Sequence, residues 1–244
     1  MKKTIFGLFI LFYLPAHSQS KDSTLLARAH FNSFKQKLAG KDLAANNQYL
    51  AAKRISFPAV MVLYGFISLG NDQLQNANKE IREEIRENND HFKTVIDNYM
   101  QFAPAATVYA LNAAGIKGRH NFKDRSIILG MSTVLMAGTV FALKRLTHQE
   151  RPDGSAYNSF PSGHTAMAFT GAEFMQQEFR DYSPFLRYSG YAMAAGTGTL
   201  RMYNNRHWLT DVITGAGIGI LSTKASYWVW ERATRKKAKT TIRY

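Results

Sequence analysis

The sequence predicts an all-α fold, a compact helical bundle of about six core helices with its active-site loops at one end. Apolar residues recur at helical spacing along most of the chain, and no segment alternates apolar and polar residues as a half-buried strand would. The longest strongly apolar run, residues 126–143, contains 18 uncharged positions. Runs of this length are typical of helices and too long for most strands.

The composition favours anionic partners. The 244 residues carry 31 basic and 17 acidic side chains, a formal charge of +14. Phosphates and acidic lipid surfaces suit such a balance, and the sequence contains no nucleic-acid-binding motif, so we predict no nucleic-acid partner. The absence of cysteine excludes disulfides and thiolate metal sites.

The N-terminus is typical of an export signal. Lys2 and Lys3 precede an apolar run at residues 5–14, and Ala16-His17-Ser18 is a small-x-small cleavage pattern. We therefore predict a signal peptide at residues 1–18 and chemistry outside the cytoplasm, in the periplasm.

The rest of the chain divides into three predicted parts: an amphipathic segment at 19–54, a helical core at 55–231, and a frayed basic tail at 232–244. Within the core, apolar residues between 71 and 99 fall on one helical face, which predicts a continuous amphipathic helix. Further helices are predicted at about 126–143, 162–179, 186–200 and 209–232.

Three short blocks carry chemistry. The first is Lys144-x6-Arg151-Pro152, in which proline stops the preceding helix. Arginine offers a planar fork to two oxygen atoms of an anion, whereas lysine acts as a point charge. By itself, such a pair usually complements the dipole at a helix end or lies at an interface.

The second block, Pro161-Ser162-Gly163-His164, precedes an apolar helical run. Serine is a good N-cap, glycine lets the backbone approach a ligand closely, and the first amides of a helix favour an anion. A capped helix with a surface histidine is the simpler explanation of Ser162 alone, but not of the whole block.

The third block is Arg201-x5-His207-x3-Asp211. A spacing of four puts His207 and Asp211 on one face if a helix begins near His207. The carboxylate could then fix one imidazole tautomer and leave the other nitrogen free to attack phosphorus. In isolation, such a pair is commonly a surface contact.

Together, the order and spacing of the blocks resemble the type-2 phosphatidic acid phosphatase superfamily, over about residues 126–230. That group includes membrane lipid phosphatases, soluble class A acid phosphatases and vanadium haloperoxidases. The resemblance implies a phosphate site made by Lys144, Arg151, Ser162, Gly163 and Arg201. It further implies a nucleophile, His207, that forms a phosphohistidine; an acid and base, His164; and an orienting carboxylate, Asp211. No metal and no cofactor are implied.

One departure from the family pattern leaves alternatives open. The third block usually has serine before its arginine, and this chain has Leu200. The favoured function is hydrolysis of a lipid phosphate or isoprenyl pyrophosphate. The alternatives are a nonspecific soluble acid phosphatase, a vanadium-dependent haloperoxidase and a non-catalytic phosphate-binding module.

The apolar runs are short for six membrane spans. The runs at 188–200 and 212–223 contain 13 and 12 residues, whereas a span needs about 20. Aromatic residues near apolar ends, such as Trp208, Trp228 and Trp230, resemble an interfacial belt. We therefore expect an exported domain associated with a membrane surface, with integral spans left open.

Overall fold

The computed structural model describes the backbone of residues 55–241 and the side chains of residues 55–235. This part of the chain forms eight helices and no strand, which confirms the all-α prediction. The helices are α1 (Ile55–Leu69), α2 (Asp72–Asn88), α3 (Ile96–Met100), α4 (Ala103–Ala113), α5 (Phe122–Thr147), α6 (Gly163–Glu178), α7 (Pro184–Tyr203) and α8 (Leu209–Thr241). The predicted signal peptide and the segment 19–54 lie outside the described residues.

Short polar side chains set the helix starts. Asn71, Asn121, Ser162 and Ser183 each accept a hydrogen bond from the backbone amide three residues ahead. Such a bond satisfies one of the amides that a first helical turn leaves unpaired. The predicted N-cap role of Ser162 is therefore confirmed.

Helix α6 is the centre of the bundle, in contact with α4, α5, α7 and α8. Most of its residues are small or fully buried. Phe174 and Met175, together with Phe179 just after the helix, join Tyr227 of α8 in one apolar cluster. Burying a side chain of that size stabilises a fold by roughly 1.5–3 kcal/mol. Nearer the N-terminal end of α6, Ala166 packs in a second cluster with Met136 and Val140 of α5 and Ile218 of α8, which holds that end in place.

Two glycines let α8 approach α6 closely. A Cβ atom at Gly215 would lie 2.5 Å from the Ser162 carbonyl oxygen, and one at Gly219 would lie 2.3 Å from the Ala166 carbonyl oxygen. Any other residue would force the helices apart. The absence of side chains at these positions therefore sets the separation between the second and third sequence blocks.

Two expectations about helix limits are wrong. The continuous helix predicted over 71–99 ends at Asn88, and α3 begins at Ile96 after a non-helical stretch at residues 89–95. Its apolar residues Val95, Ile96 and Tyr99 are 60–76% exposed, so the pattern that suggested one face does not reflect burial. The basic segment predicted to fray from 232 stays helical through Thr241.

Exposed apolar side chains are concentrated on α1 and α5. By length and composition alone, α5 is the one helix within residues 55–241 that could cross a membrane, and 22% of its most apolar window is buried. Helices α1 and α2 meet the same criterion only as one segment, and a 98° bend separates them. The outward residues are Phe57, Val60, Leu63 and Ile67 on α1 and Val134, Phe141 and Leu146 on α5.

Candidate active site

The three sequence blocks meet at the N-terminal ends of α6 and α8. The amide of Ser162 donates to the carbonyl oxygen of Asp211 at 3.0 Å, which joins the second block directly to the third. The loop after α5 is tied to the loop before α8 by Arg206 on Asp153 at 2.9 Å and by the Trp208 indole on the Glu150 carbonyl oxygen at 2.9 Å. Residues distant in sequence thereby share one site.

His207 and Asp211 form a buried pair. Nδ1 of His207 lies 3.4 Å from Oδ2 of Asp211, and the two side chains are 2% and 1% exposed. Helix α8 begins at Leu209, so His207 lies just before the helix and contacts Asp211 in its first turn. The same carboxylate oxygen accepts from the Ser159 hydroxyl at 2.5 Å and from the Trp208 amide at 2.9 Å.

This arrangement fixes the tautomer of His207. A carboxylate can only accept a hydrogen bond, so the proton of the neutral ring lies on Nδ1 and the lone pair on Nε2. Burial lowers the pKa of His207 to about 4 from its ordinary 6.5, and the Asp211 carboxylate offsets only part of this effect. At neutral pH, His207 is therefore uncharged, with a nucleophilic nitrogen available.

His164 occupies a more open position, in the first turn of α6. Its Nε2 lies 2.9 Å from Oδ1 of Asn98, a residue of α3. Burial first, and then the nearby Arg201 guanidinium, lower the pKa of His164 to about 4, while the Asp97 carboxylate acts in the opposite direction. Both histidines are thus held as neutral rings above about pH 4.

The three predicted phosphate-binding cations converge from different elements. Arg201 is buried and donates to Oδ2 of Asp97 at 2.6 Å. Lys144 donates to the carbonyl oxygens of Asn158 and, at 3.3 Å, Ser159. Arg151 has a buried Nε that lacks a partner within the described part of the chain. Arg151 therefore keeps one donor that no described residue uses.

Arg151, His164 and Arg201 line one cavity of about 940 Å³. Cavities of this size hold drug-sized ligands, so the space exceeds what a lone phosphate needs. The remaining lining comes from the end of α2, the α3 segment (residues 89–102), the loop after α5 and the loop before α8. Its charged members are Arg86, Lys93, Asp97, Asp153 and Arg206. Basic side chains predominate, which suits an anionic ligand.

The second block is only partly free to bind such a ligand. Ser162 is fully buried, and its hydroxyl lies 2.8 Å from the Thr165 hydroxyl while it caps α6. Gly163 is the first residue of α6, with Val140 3.7 Å from the place of a Cβ atom. A direct phosphate contact by the Ser162 hydroxyl or the Gly163 amide stays a prediction.

Three contact residues were missed by sequence reasoning. Ser159 lies two positions before the second block, and this proximity was the one available signal. Asp97 and Asn98 belong to the segment 71–99, far from the blocks in sequence, for which the sequence predicts one continuous amphipathic helix. Only the packing of α3 against α7 and α6 brings them to Arg201 and His164.

Comparison with known proteins agrees with this geometry. Residues 125–235 match the model of the PAP2 superfamily. A lipid A 1-phosphatase from Porphyromonas gingivalis is 40% identical over 157 residues, which is 63% of this chain. The chain spans about a third, 35%, of the length of that curated relative.

Two solved structures are also similar. A transmembrane PAP2-type phosphatidylglycerolphosphate phosphatase from Bacillus subtilis is 19% identical with a TM-score of 0.52, covering 72% of this chain and 96% of that one. LpxE from Aquifex aeolicus is 25% identical with a TM-score of 0.45, covering 59% and 93%. The fold and the order of the three blocks agree with the match of residues 125–235 to the PAP2 superfamily model.

Proposed function

We propose that this protein is a metal-independent phosphatase that hydrolyses phosphomonoesters through a phosphohistidine on His207. The observation that carries the proposal is the buried His207–Asp211 pair, whose contact of 3.4 Å leaves Nε2 of His207 unprotonated, with Lys144 and Arg201 close enough to act on the ring. A neutral, oriented imidazole near cations that can hold a phosphoryl group is what nucleophilic phosphoryl transfer requires.

Binding precedes the chemical step. Arg151 and Arg201 would hold the nonbridging oxygens of the phosphate from the cavity wall, and Lys144 would add a third positive charge. These cations neutralise charge that spreads over the equatorial oxygens in the transition state. The amides at the start of α6 would complete the anion site.

In the first half-reaction, Nε2 of His207 attacks phosphorus, and the bond from phosphorus to the ester oxygen breaks. The leaving oxygen takes a proton from His164. Asp211 stabilises the positive charge that develops on the His207 ring. The negative charge of bound phosphate would raise the pKa of His164 and so supply the protonated acid that this step uses.

In the second half-reaction, His164 accepts a proton from water as the water oxygen attacks phosphorus. The phosphorus–nitrogen bond breaks, inorganic phosphate leaves, and His207 returns to its neutral form. One group thus serves as acid and then as base, as microscopic reversibility requires.

The favoured substrate is a phosphorylated lipid, either a lipid phosphate or an isoprenyl pyrophosphate. The cavity exceeds a phosphate in size, and the α3 segment beside it exposes Val95, Ile96 and Tyr99. A relative named lipid A 1-phosphatase supports the same class and adds lipid A to the candidates. The outward apolar residues of α1 and α5 support association with a membrane, and the N-terminal signal pattern supports a location outside the cytoplasm.

Phosphate release from four substrates tests this function: lipid A, phosphatidic acid, an isoprenyl pyrophosphate in detergent micelles, and a soluble aryl phosphate. Wild type is compared with His207→Ala and with His91→Ala, a matched control whose side chain is 99% exposed. We expect release from at least one lipid by wild type and by the control, and none above background by His207→Ala.

The stability of the trapped phosphoenzyme in acid and in base identifies the amino acid that carries the phosphoryl group. A phosphohistidine, trapped by rapid denaturation with radiolabelled substrate, is lost in acid and survives in base, and it should be absent from His207→Ala. Turnover confined to the aryl ester would indicate a soluble acid phosphatase. Folded wild type that binds phosphate but releases none from any substrate would contradict the proposal.

A further inference from the structure

The segment between α2 and α4, residues 89–102, contributes to the site although it lies outside the matched region 125–235. It contains none of the three sequence blocks. Two successive residues, Asp97 and Asn98, nevertheless contact Arg201 and His164. The inference drawn from these contacts rests on the proposed function, because it gives His164 a partner in proton transfer.

The segment is fixed against the end of α7. The Thr94 amide donates to Oδ1 of Asn204 at 2.9 Å, and the Asn204 amide group donates back to the Thr94 carbonyl oxygen at 3.0 Å. Phe92 packs edge-on against Tyr203, with 5.5 Å between ring centroids. These contacts hold α3 in place from its N-terminal side, so Asn98 has a defined position.

The contact from Asn98 determines where the His164 proton lies. An amide oxygen can only accept, so a ring nitrogen 2.9 Å from Oδ1 must be the donor. The neutral ring then carries its proton on Nε2 and its lone pair on Nδ1. Among the described residues, no hydrogen bond reaches Nδ1, so this atom is the one left to exchange a proton with the ester oxygen and with water.

We propose that Asn98 is the positioning residue of His164: its side-chain oxygen fixes the ring with Nε2 protonated and leaves Nδ1 to move the proton. Its neutrality is part of the role. A carboxylate here would stabilise the imidazolium and hold the proton that the leaving oxygen needs. The neighbouring carboxylate, Asp97, is instead engaged with Arg201 at 2.6 Å.

Asn98→Asp tests this role because it changes charge without changing shape. The charged groups already acting on His164 are Arg201, Asp97, His207 and Lys144, and Arg151 and Arg206 line the same cavity. A new carboxylate in direct contact with Nε2 would favour the protonated ring. We expect the pKa of His164 to rise by roughly 1–3 units.

The measurement is a histidine-selective NMR titration of the full-length protein in micelles, with the His164 signal assigned by its loss in His164→Ala. It is paired with pH profiles of kcat/KM for wild type, Asn98→Asp and Asn98→Ala. The matched control is Asn76→Asp, which adds the same charge at an exposed position of α2. The basic limb of the profile should move to higher pH with Asn98→Asp. With Asn98→Ala, kcat should fall about tenfold.

An unchanged His164 titration in Asn98→Asp overturns the proposal, as does an equal shift in Asn76→Asp. An upward shift of the titration without movement of the basic limb would overturn the role in proton transfer. An inactive wild type would refute the proposed phosphatase function alone, because the NMR titration does not depend on turnover.

Discussion

The two histidines of the site differ in the charge of the side chain that orients them. His207 is 4% exposed and contacts Asp211, an anion that also accepts from Ser159 and Trp208. His164 lies at the wall of the large cavity and contacts the neutral amide of Asn98. Burial lowers the pKa of each ring to about 4, so the partner, more than the resting charge, distinguishes them.

This difference suits two tasks. A nucleophile that becomes cationic on phosphorylation benefits from a buried anion, which stabilises the charge as it forms. An acid and base must release its proton as readily as it gains one, and a neutral partner orients the ring without holding the proton. The four predictions below test this contrast, from the largest expected effect to the smallest.

Asp211→Asn should remove most of the reactivity of His207 as a nucleophile. The variant keeps the shape of the side chain but loses the charge and allows the wrong tautomer, so phosphoenzyme formation should fall about 10³–10⁴-fold. Rapid-quench measurement of the phosphoenzyme reports this step directly. The control is Asp181→Asn, at a side chain that is 80% exposed. A loss below tenfold, in protein with an unchanged circular dichroism spectrum, would contradict the role of Asp211.

His164→Ala should affect substrates according to their leaving groups. An alkyl ester needs a proton on its leaving oxygen, so its phosphoenzyme formation should fall roughly 10²–10⁴-fold. A nitrophenyl phosphate leaves without protonation, so its burst rate should change far less. Equal losses for both substrates would indicate that His164 binds phosphate and does not act as the acid.

The acid limb of the pH–rate profile should report the pKa of His207. The His164→Ala variant with an aryl phosphate needs no acid, so of the two site histidines only His207 remains, and it must be neutral to react. Because burial lowers its pKa to about 4, its reactive form is lost as pH falls through that value. Burst rates measured from pH 3 to 8 should drop about tenfold per unit below pH 4. A midpoint near 6.5 would mean that His207 is solvated in solution.

Ser159→Ala should have the smallest effect. The Ser159 hydroxyl donates to Asp211 at 2.5 Å, and hydrogen bonds to charged groups contribute about 1.5–3 kcal/mol. The Trp208 amide still donates to the same oxygen at 2.9 Å, so we expect kcat to fall only about threefold to tenfold. An unchanged circular dichroism spectrum and an unchanged KM would separate this loss from a general loop effect. A loss as large as that of Asp211→Asn would make Ser159 a primary catalytic group.

Much of the site could be read from local sequence because its chemistry is concentrated in short blocks. Lys144, Arg151, His164, Arg201, His207 and Asp211 all lie in these blocks, and the helices around them begin and end within a few residues of the predicted limits, apart from the C-terminal end of α8. The apolar pattern gave the helical class for the same reason, since burial of one helical face imposes a regular period.

The α3 segment could not be predicted in the same way. Its apolar residues Val95, Ile96 and Tyr99 continue the period of α2, yet the helix ends at Asn88 and these residues are exposed. Periodicity shows which residues would share a face if the helix were continuous. It does not show whether the helix ends before it reaches them. The contacts of Asp97 and Asn98 therefore had no signal in the sequence.

The sequence by itself determined the all-α class, the three blocks and the pairing of His207 with Asp211, because each depends on residues within one or two helical turns. The tertiary structure decided which cation Asp97 engages, which nitrogen of His164 is left free, and how closely α8 approaches α6 at Gly215 and Gly219. Those features depend on residues up to 104 positions apart. Only packing of the whole bundle sets such distances. This packing gives His207 a charged partner and His164 a neutral one.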